Sequence, residues 1–144
     1  MDSPVPKPPK KPRPPERDYS HRSLLDKLGV KPQQRILILD VVDGAFISDI
    51  EPFAPLFTER KPAGDFDLIF FGAEEKDALK RLASLRRSIA KNAAIWVVYP
   101  KGKQHIREID VISAAKASGL VDNKVCSFSS THTALRCVIP IADR

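Results

Sequence analysis

Three short apolar runs, each stopped by turn residues, constrain this chain more than any other feature. Arg35 to Asp40 (Arg-Ile-Leu-Ile-Leu-Asp) is soon followed by Asp43-Gly44, and Phe66 to Phe71 (Phe-Asp-Leu-Ile-Phe-Phe) stops at Gly72. Ala94 to Tyr99 (Ala-Ile-Trp-Val-Val-Tyr) stops at Pro100-Lys101-Gly102. Unbroken apolar runs of this kind read as strands buried on both faces. A helical pattern lies between the second and third runs and another follows the third, the alternation that predicts a parallel α/β sheet.

At 144 residues the chain has room for one such domain and a tail. No apolar run approaches the roughly 20 residues needed to span a bilayer, and the first residues carry no apolar segment behind their charges. The expected location is therefore cytoplasmic, with no membrane partner. The two cysteines, Cys126 and Cys137, lack metal-ligand spacing and the density of a disulfide scaffold, so both are expected as packed, reduced thiols.

The net charge of +6 is unevenly placed. Residues 1–20 hold five lysines and arginines against three acids, a net +2, and seven of the thirteen prolines fall in residues 1–16. Proline fixes φ and removes a donor, so residues 1–20 are expected to form a disordered, basic, proline-rich arm, with residues 21–144 as the folded domain. Its Pro-x-x-Pro spacings match a groove-docking ligand, although proline-rich tails meet that pattern by chance. The body keeps a net +4 and lacks the interleaved aromatics of a single-strand platform. Weak, sequence-blind nucleic-acid binding is the most that this implies.

Within the body, Ser23 to Leu28 reads as a short helix capped by Ser23 and stopped by Gly29. The interval from Val41 to Asp65 is too short for a full βαβ unit, so a strand and a helix there are expected to be shortened or lost. Within it, Glu51 to Phe57 suggests a turn or two of helix burying Phe53, Leu56 and Phe57. Glu74 to about Ala90 reads as the clearest helix, with Ala78, Leu82, Leu85 and Ile89 as the buried stripe and a basic face from Lys80 to Lys91. A second helix is expected over about Ile106 to Ser118, with Ile109, Ile112 and Ala115 inward and Gly119 as its cap. Asn123 to Phe128 and His132 to Ile139 should close the chain as a hairpin, placing Cys126 and Cys137 near each other across it.

A helix leading into a first strand with an acid at its end, Phe66-Asp67-Leu68-Ile69, Trp96 with Pro100-Lys101, Gly119-Leu120-Val121 and a closing hairpin together resemble a class I methyltransferase core. More narrowly, the chain looks like a bacterial family of unknown function with a degenerate methyltransferase-like domain. The matching stretches are Leu28-Gly29-Val30-Lys31-Pro32, Ile95 to Lys101, and Gly119 to Cys126, and the resemblance covers about residues 20 to 140. It implies a three-layer, Rossmann-like α/β fold whose mostly parallel sheet ends in an antiparallel hairpin beside the Trp96 strand. In that family a tryptophan and a glycine-centred step precede the last strand, where this chain has His132-Thr133-Ala134-Leu135-Arg136.

The cofactor loop departs from the enzymes. Active methyltransferases place closely spaced glycines after the first strand, because the backbone must turn tightly beside the methionine moiety. Here Asp40-Val41-Val42-Asp43-Gly44 offers one glycine and two β-branched residues, and Asp43-Gly44 reads as a simple turn. Asp49 and Glu51 are weak stand-ins for the acid that holds ribose hydroxyls in the enzymes. Gly102-Lys103 lacks the rest of a phosphate-binding loop, and His21, His105 and His132 are scattered, without spacing for zinc.

No catalytic residue or metal ligand is assigned on these grounds, and no cofactor is expected. In open α/β sheets ligands collect at the strands' carboxyl ends, which makes Asp40, Asp43, Gly44, Gly72, Glu74, Tyr99, Lys101 and Lys103 the candidate ligand-binding residues. The leading expectation is a non-catalytic or cryptic module that binds an unidentified small molecule or protein partner. The alternatives are an S-adenosylmethionine-dependent methyltransferase with an atypical loop and, more distantly, a nucleic-acid accessory protein.

Overall fold

The computed structural model describes residues 24–52, 56–57 (backbone only) and 65–144. The expected proline-rich arm, Ser23 as a helix cap and the burial of Phe53, Leu56 and Phe57 lie outside what is described. The elements are α1 (residues 24–28), β1 (Ile36–Leu39), α2 (Gly44–Ile50), β2 (Leu56–Phe57) and β3 (Phe66–Gly72). A mixed helical segment follows, made of a 3-10 helix (Lys76–Arg81), α3 (Leu82–Leu85) and a second 3-10 turn (Arg86–Ser88). The chain then runs through β4 (Ile89–Pro100), α4 (Glu108–Ala117), β5 (Val121–Ser127), β6 (His132–Val138) and a final 3-10 turn (Ile141–Asp143).

The strands form one sheet in the order β2-β1-β3-β4-β6-β5. The first four are mutually parallel, and β6 pairs antiparallel with both β4 and β5. The hairpin therefore lies beside the Trp96 strand, as the methyltransferase resemblance implies. Because the β-strand period is two, alternate residues feed opposite faces. Leu37, Ile69, Phe71, Val97, Leu135 and Cys137 pack beneath the 76–88 segment and α4. Ile36, Ile38, Phe70, Trp96 and Ala134 pack against Leu25 and Leu28 of α1 and Phe46 and Ile50 of α2. Two covered faces make three layers. Trp96 is fully buried, and its indole N–H donates to the Leu28 carbonyl at 2.9 Å, which ties α1 to the sheet.

Four details correct the sequence reading. The interval after β1 keeps both a helix and a strand, shortened as expected to the seven-residue α2 and the two-residue β2, but its strand, residues 56–57, falls where a helical turn was expected. Second, the segment from Lys76 is mostly 3-10 and stops at Ser88, and Ile89 already pairs with Phe66 as the first residue of β4. Its buried apolar residues are Leu79, Leu82 and Leu85, with Ala78 only partly covered. A spacing of three matches the 3.0-residue turn of a 3-10 helix, so the stripe and the helix type agree. Third, Ile109 of α4 is exposed, whereas Val111 and Ala115 are fully buried. The helix starts at Glu108, with Asp110 accepting the Arg107 backbone N–H at 2.8 Å, and that start puts Val111 and Ala115 inward. Fourth, Cys126 sits opposite Ala134 and Cys137 opposite Asp122, on different faces of the sheet. Both thiols are free, and burial pushes Cys137 up to about 12.

Gly119 ends α4 with φ +82°, and Leu120 N–H bonds the Ala115 carbonyl at 2.8 Å. That left-handed step, cheap only for glycine, turns the chain straight into β5.

Candidate functional site

The carboxyl ends of β1 and β3 meet at the floor of a cleft. Asp40 closes β1 with φ +57°, an uncommon left-handed step for a residue other than glycine. A methyl group added at Gly72, the last residue of β3, would collide with the Asp40 carbonyl. Glycine there lets the two strand ends touch. Beyond Asp40, Val41 is buried and Val42 stands 96% exposed. Asp43 is more than a turn residue: its Oδ1 accepts the Phe46 N–H at 3.1 Å and so caps α2, which begins at Gly44.

On the opposite wall stands the β5–β6 turn. Phe128 packs on Phe46 with ring centroids 4.8 Å apart, so the two walls share an aromatic contact at their base. Between them lies a cleft of about 430 Å³, lined by Asp40, Asp43, Gly44, Gly72 and Glu74 on one side and Phe128, Thr131 and His132 on the other. The fold thus gathers five of the eight sequence-derived residues. Tyr99, Lys101 and Lys103 line a separate groove of about 340 Å³ with Arg107 and Glu108.

Several polar groups in the region are engaged by neighbours. Arg81 Nη1 lies 3.7 Å from Asp40 Oδ2, although the sequence pattern turned Arg81 outward. Lys101 Nζ donates to Ser127 Oγ at 2.7 Å. Burial pushes the Tyr99 phenol up to about 12, with the Glu108 carboxylate acting in the same direction. Asp49 lies inside α2 and Glu51 caps it, so neither follows β2 in the position of a ribose acid.

The residue that the sequence hid is His132. Its Nε2 lies 2.7 Å from Glu74 Oε2, and its Nδ1 lies 2.8 Å from Thr131 Oγ1. His105 is half exposed, with its Nε2 2.9 Å from the Glu74 carbonyl oxygen. The Glu74–His132 contact spans 58 positions of sequence and depends on where β6 pairs with β4. No local spacing could have signalled it. Among the described residues there is no group of three or more metal-ligating side chains, and no helix is long and apolar enough to cross a membrane.

A family profile described as "Protein of unknown function (DUF3052)" matches residues 40–140. The chain belongs to the DUF3052 family. No curated protein matches its sequence. Among solved structures, this DUF3052 chain is similar to a SAM-dependent methyltransferase from Aquifex aeolicus, with TM-score 0.59, 13% identity, and coverage of 88% of this chain and 94% of that one. A putative methyltransferase from Thermoplasma acidophilum gives TM-score 0.59 at 10% identity, covering 78% and 70% of the two chains. The magnesium protoporphyrin IX methyltransferase of Synechocystis PCC 6803, with bound SAM, gives TM-score 0.54 at 10% identity, covering 85% and 77%. Identities this low establish the methyltransferase-like fold and leave activity to be argued from the site.

Proposed function

We propose that this DUF3052 domain is a ligand-binding module on a methyltransferase-like scaffold, taking a small molecule other than S-adenosylmethionine in the cleft between residues 40–44 and the β5–β6 turn. One observation carries the reading. The loop after β1, where a cofactor needs close backbone approach, buries one β-branched side chain and projects another into the cleft mouth, and its lone glycine opens α2. The acid of that loop, Asp40, already faces Arg81. These residues do not fit the cofactor in the manner of a glycine-rich loop.

The alternative, a methyltransferase with an atypical loop, draws support from the neighbours' described activity and bound SAM. A nucleic-acid role is disfavoured because Lys80 and Arg81 of the expected basic face each lie against an acid, namely Asp77 and Asp40. A thermal-shift titration with S-adenosylmethionine and its demethylated product separates the first two readings. Ligand at 100 times its dissociation constant stabilises a fold by about 2.7 kcal/mol, which is several degrees of melting temperature for a domain of this size. A flat response to millimolar cofactor is expected. A saturable rise abolished by Asp40→Ala would establish the enzyme reading instead.

A further inference from the structure

Three side chains at the lip of the cleft form a line: Glu74 Oε2, the two ring nitrogens of His132, and Thr131 Oγ1, at 2.7 and 2.8 Å. An ionised carboxylate only accepts, so Glu74 holds the tautomer with its proton on Nε2. Nδ1 is then an acceptor, and the hydrogen bond there is donated by the Thr131 hydroxyl. A hydroxyl on a base that is itself oriented by a carboxylate is the arrangement that turns a weak nucleophile into an active one. Thr131 sits on a braced turn. Its N–H donates to Ser129 Oγ at 3.2 Å, and its carbonyl accepts the Lys101 N–H at 2.9 Å.

We propose that Thr131 is the nucleophile of an acyl-accepting site in this cleft, with His132 as its general base, Glu74 as the positioning residue, and uncharged or cationic carboxylic esters as the substrate class. This rests on the ligand-binding reading only in using the same cleft. Val42, Val98 and Phe128 give that cleft apolar wall for an acyl group. Asp40, Asp43 and Glu74 line it and, among the described residues, no lysine or arginine does, so an ester carrying its own carboxylate is disfavoured.

As Thr131 Oγ1 bonds to the carbonyl carbon, its proton passes to His132 Nδ1. The ester's carbon–oxygen bond then breaks, and the alcohol leaves with that proton. Water, deprotonated in turn by His132, attacks the threonyl ester, releases the carboxylic acid and restores the hydroxyl. No oxidant or other co-reactant is needed.

The test incubates the full chain with p-nitrophenyl acetate, follows p-nitrophenolate release, and locates the acetyl group by peptide mass mapping. One acetyl on Thr131 is expected, retained in Thr131→Ser and absent from Thr131→Ala and His132→Gln. Glu74→Gln should slow acylation by about 10²-fold and change its pH profile, because the glutamine no longer holds His132 in the accepting tautomer. The monoanionic p-nitrophenyl hydrogen succinate should react more slowly than the acetate. Acetyl confined to lysines, or no acetyl on a protein whose melting is normal, overturns the proposal while leaving the ligand-binding reading intact. A cofactor-induced thermal shift would overturn that reading without altering the acylation result.

Discussion

The strands β3, β4, β6 and β5 run seven, twelve, seven and seven residues, whereas β1 and β2 run four and two. The long side holds its shape through ladders and a two-faced core, with every residue of β4 from Ala93 to Pro100 buried. Next to it, the short side relies on local devices: a seven-residue helix, one aspartate cap, and a strand-end contact that only glycine permits. Both walls of the cleft stand on this division, one in the loop after β1 and the other on the β5–β6 turn. Changes in the loop after β1 should therefore cost little in the ladder that positions the opposite wall.

The largest expected effect lies on the long side. Trp96→Ala removes a fully buried indole and leaves the Leu28 carbonyl without its donor, so denaturant unfolding should show a loss of about 3–5 kcal/mol. Asp43→Ala, on the short side, removes a helix cap and should cost about 1 kcal/mol in the same assay. Equal losses would break the comparison, because the loop would then be as deeply coupled to the core as the central strand. The smallest effect appears only in alkali. A raised pKa means that the folded state holds the Tyr99 proton more tightly than the unfolded chain does, so this stabilisation is full below pH 10. It is lost as pH rises from 10 towards 12. Tyr99→Phe should flatten that part of a melting-temperature profile, and an unchanged alkaline slope would show that Tyr99 is not responsible.

What the sequence made legible divides along the same line. Ile36–Leu39, Phe66–Gly72 and the Trp96 strand announce themselves because burial on both faces leaves unbroken apolar runs. The hairpin and Gly119 were readable from alternation and a stop residue. The interval from Val41 to Phe57 was not, because a seven-residue helix and a two-residue strand are too short to establish any period. Lys76–Ser88 misled for another reason: Leu79, Leu82 and Leu85 fit both a 3-10 and an α-helical pattern over so few turns. Asp40, Asp43, Gly44, Gly72 and Glu74, chosen by the rule that ligands gather at strand ends, line one cleft. His132 begins a strand running the other way and Thr131 ends the turn before it, so both reach the same rim only through antiparallel pairing.

Trp96 also turns the molecule into its own optical instrument. It is the only tryptophan in the chain, so all indole fluorescence comes from one ring, sealed from water and hydrogen-bonded to the end of α1. Emission should lie on the blue side and move red when α1 detaches, reporting that event without any label. Val98, on the cleft lining, lies two residues further along the same face of β4, about 7 Å at the rise of a strand. An absorbing or quenching molecule seated in the cleft would therefore dim this signal, giving a direct readout of occupancy for screening ligands of any class.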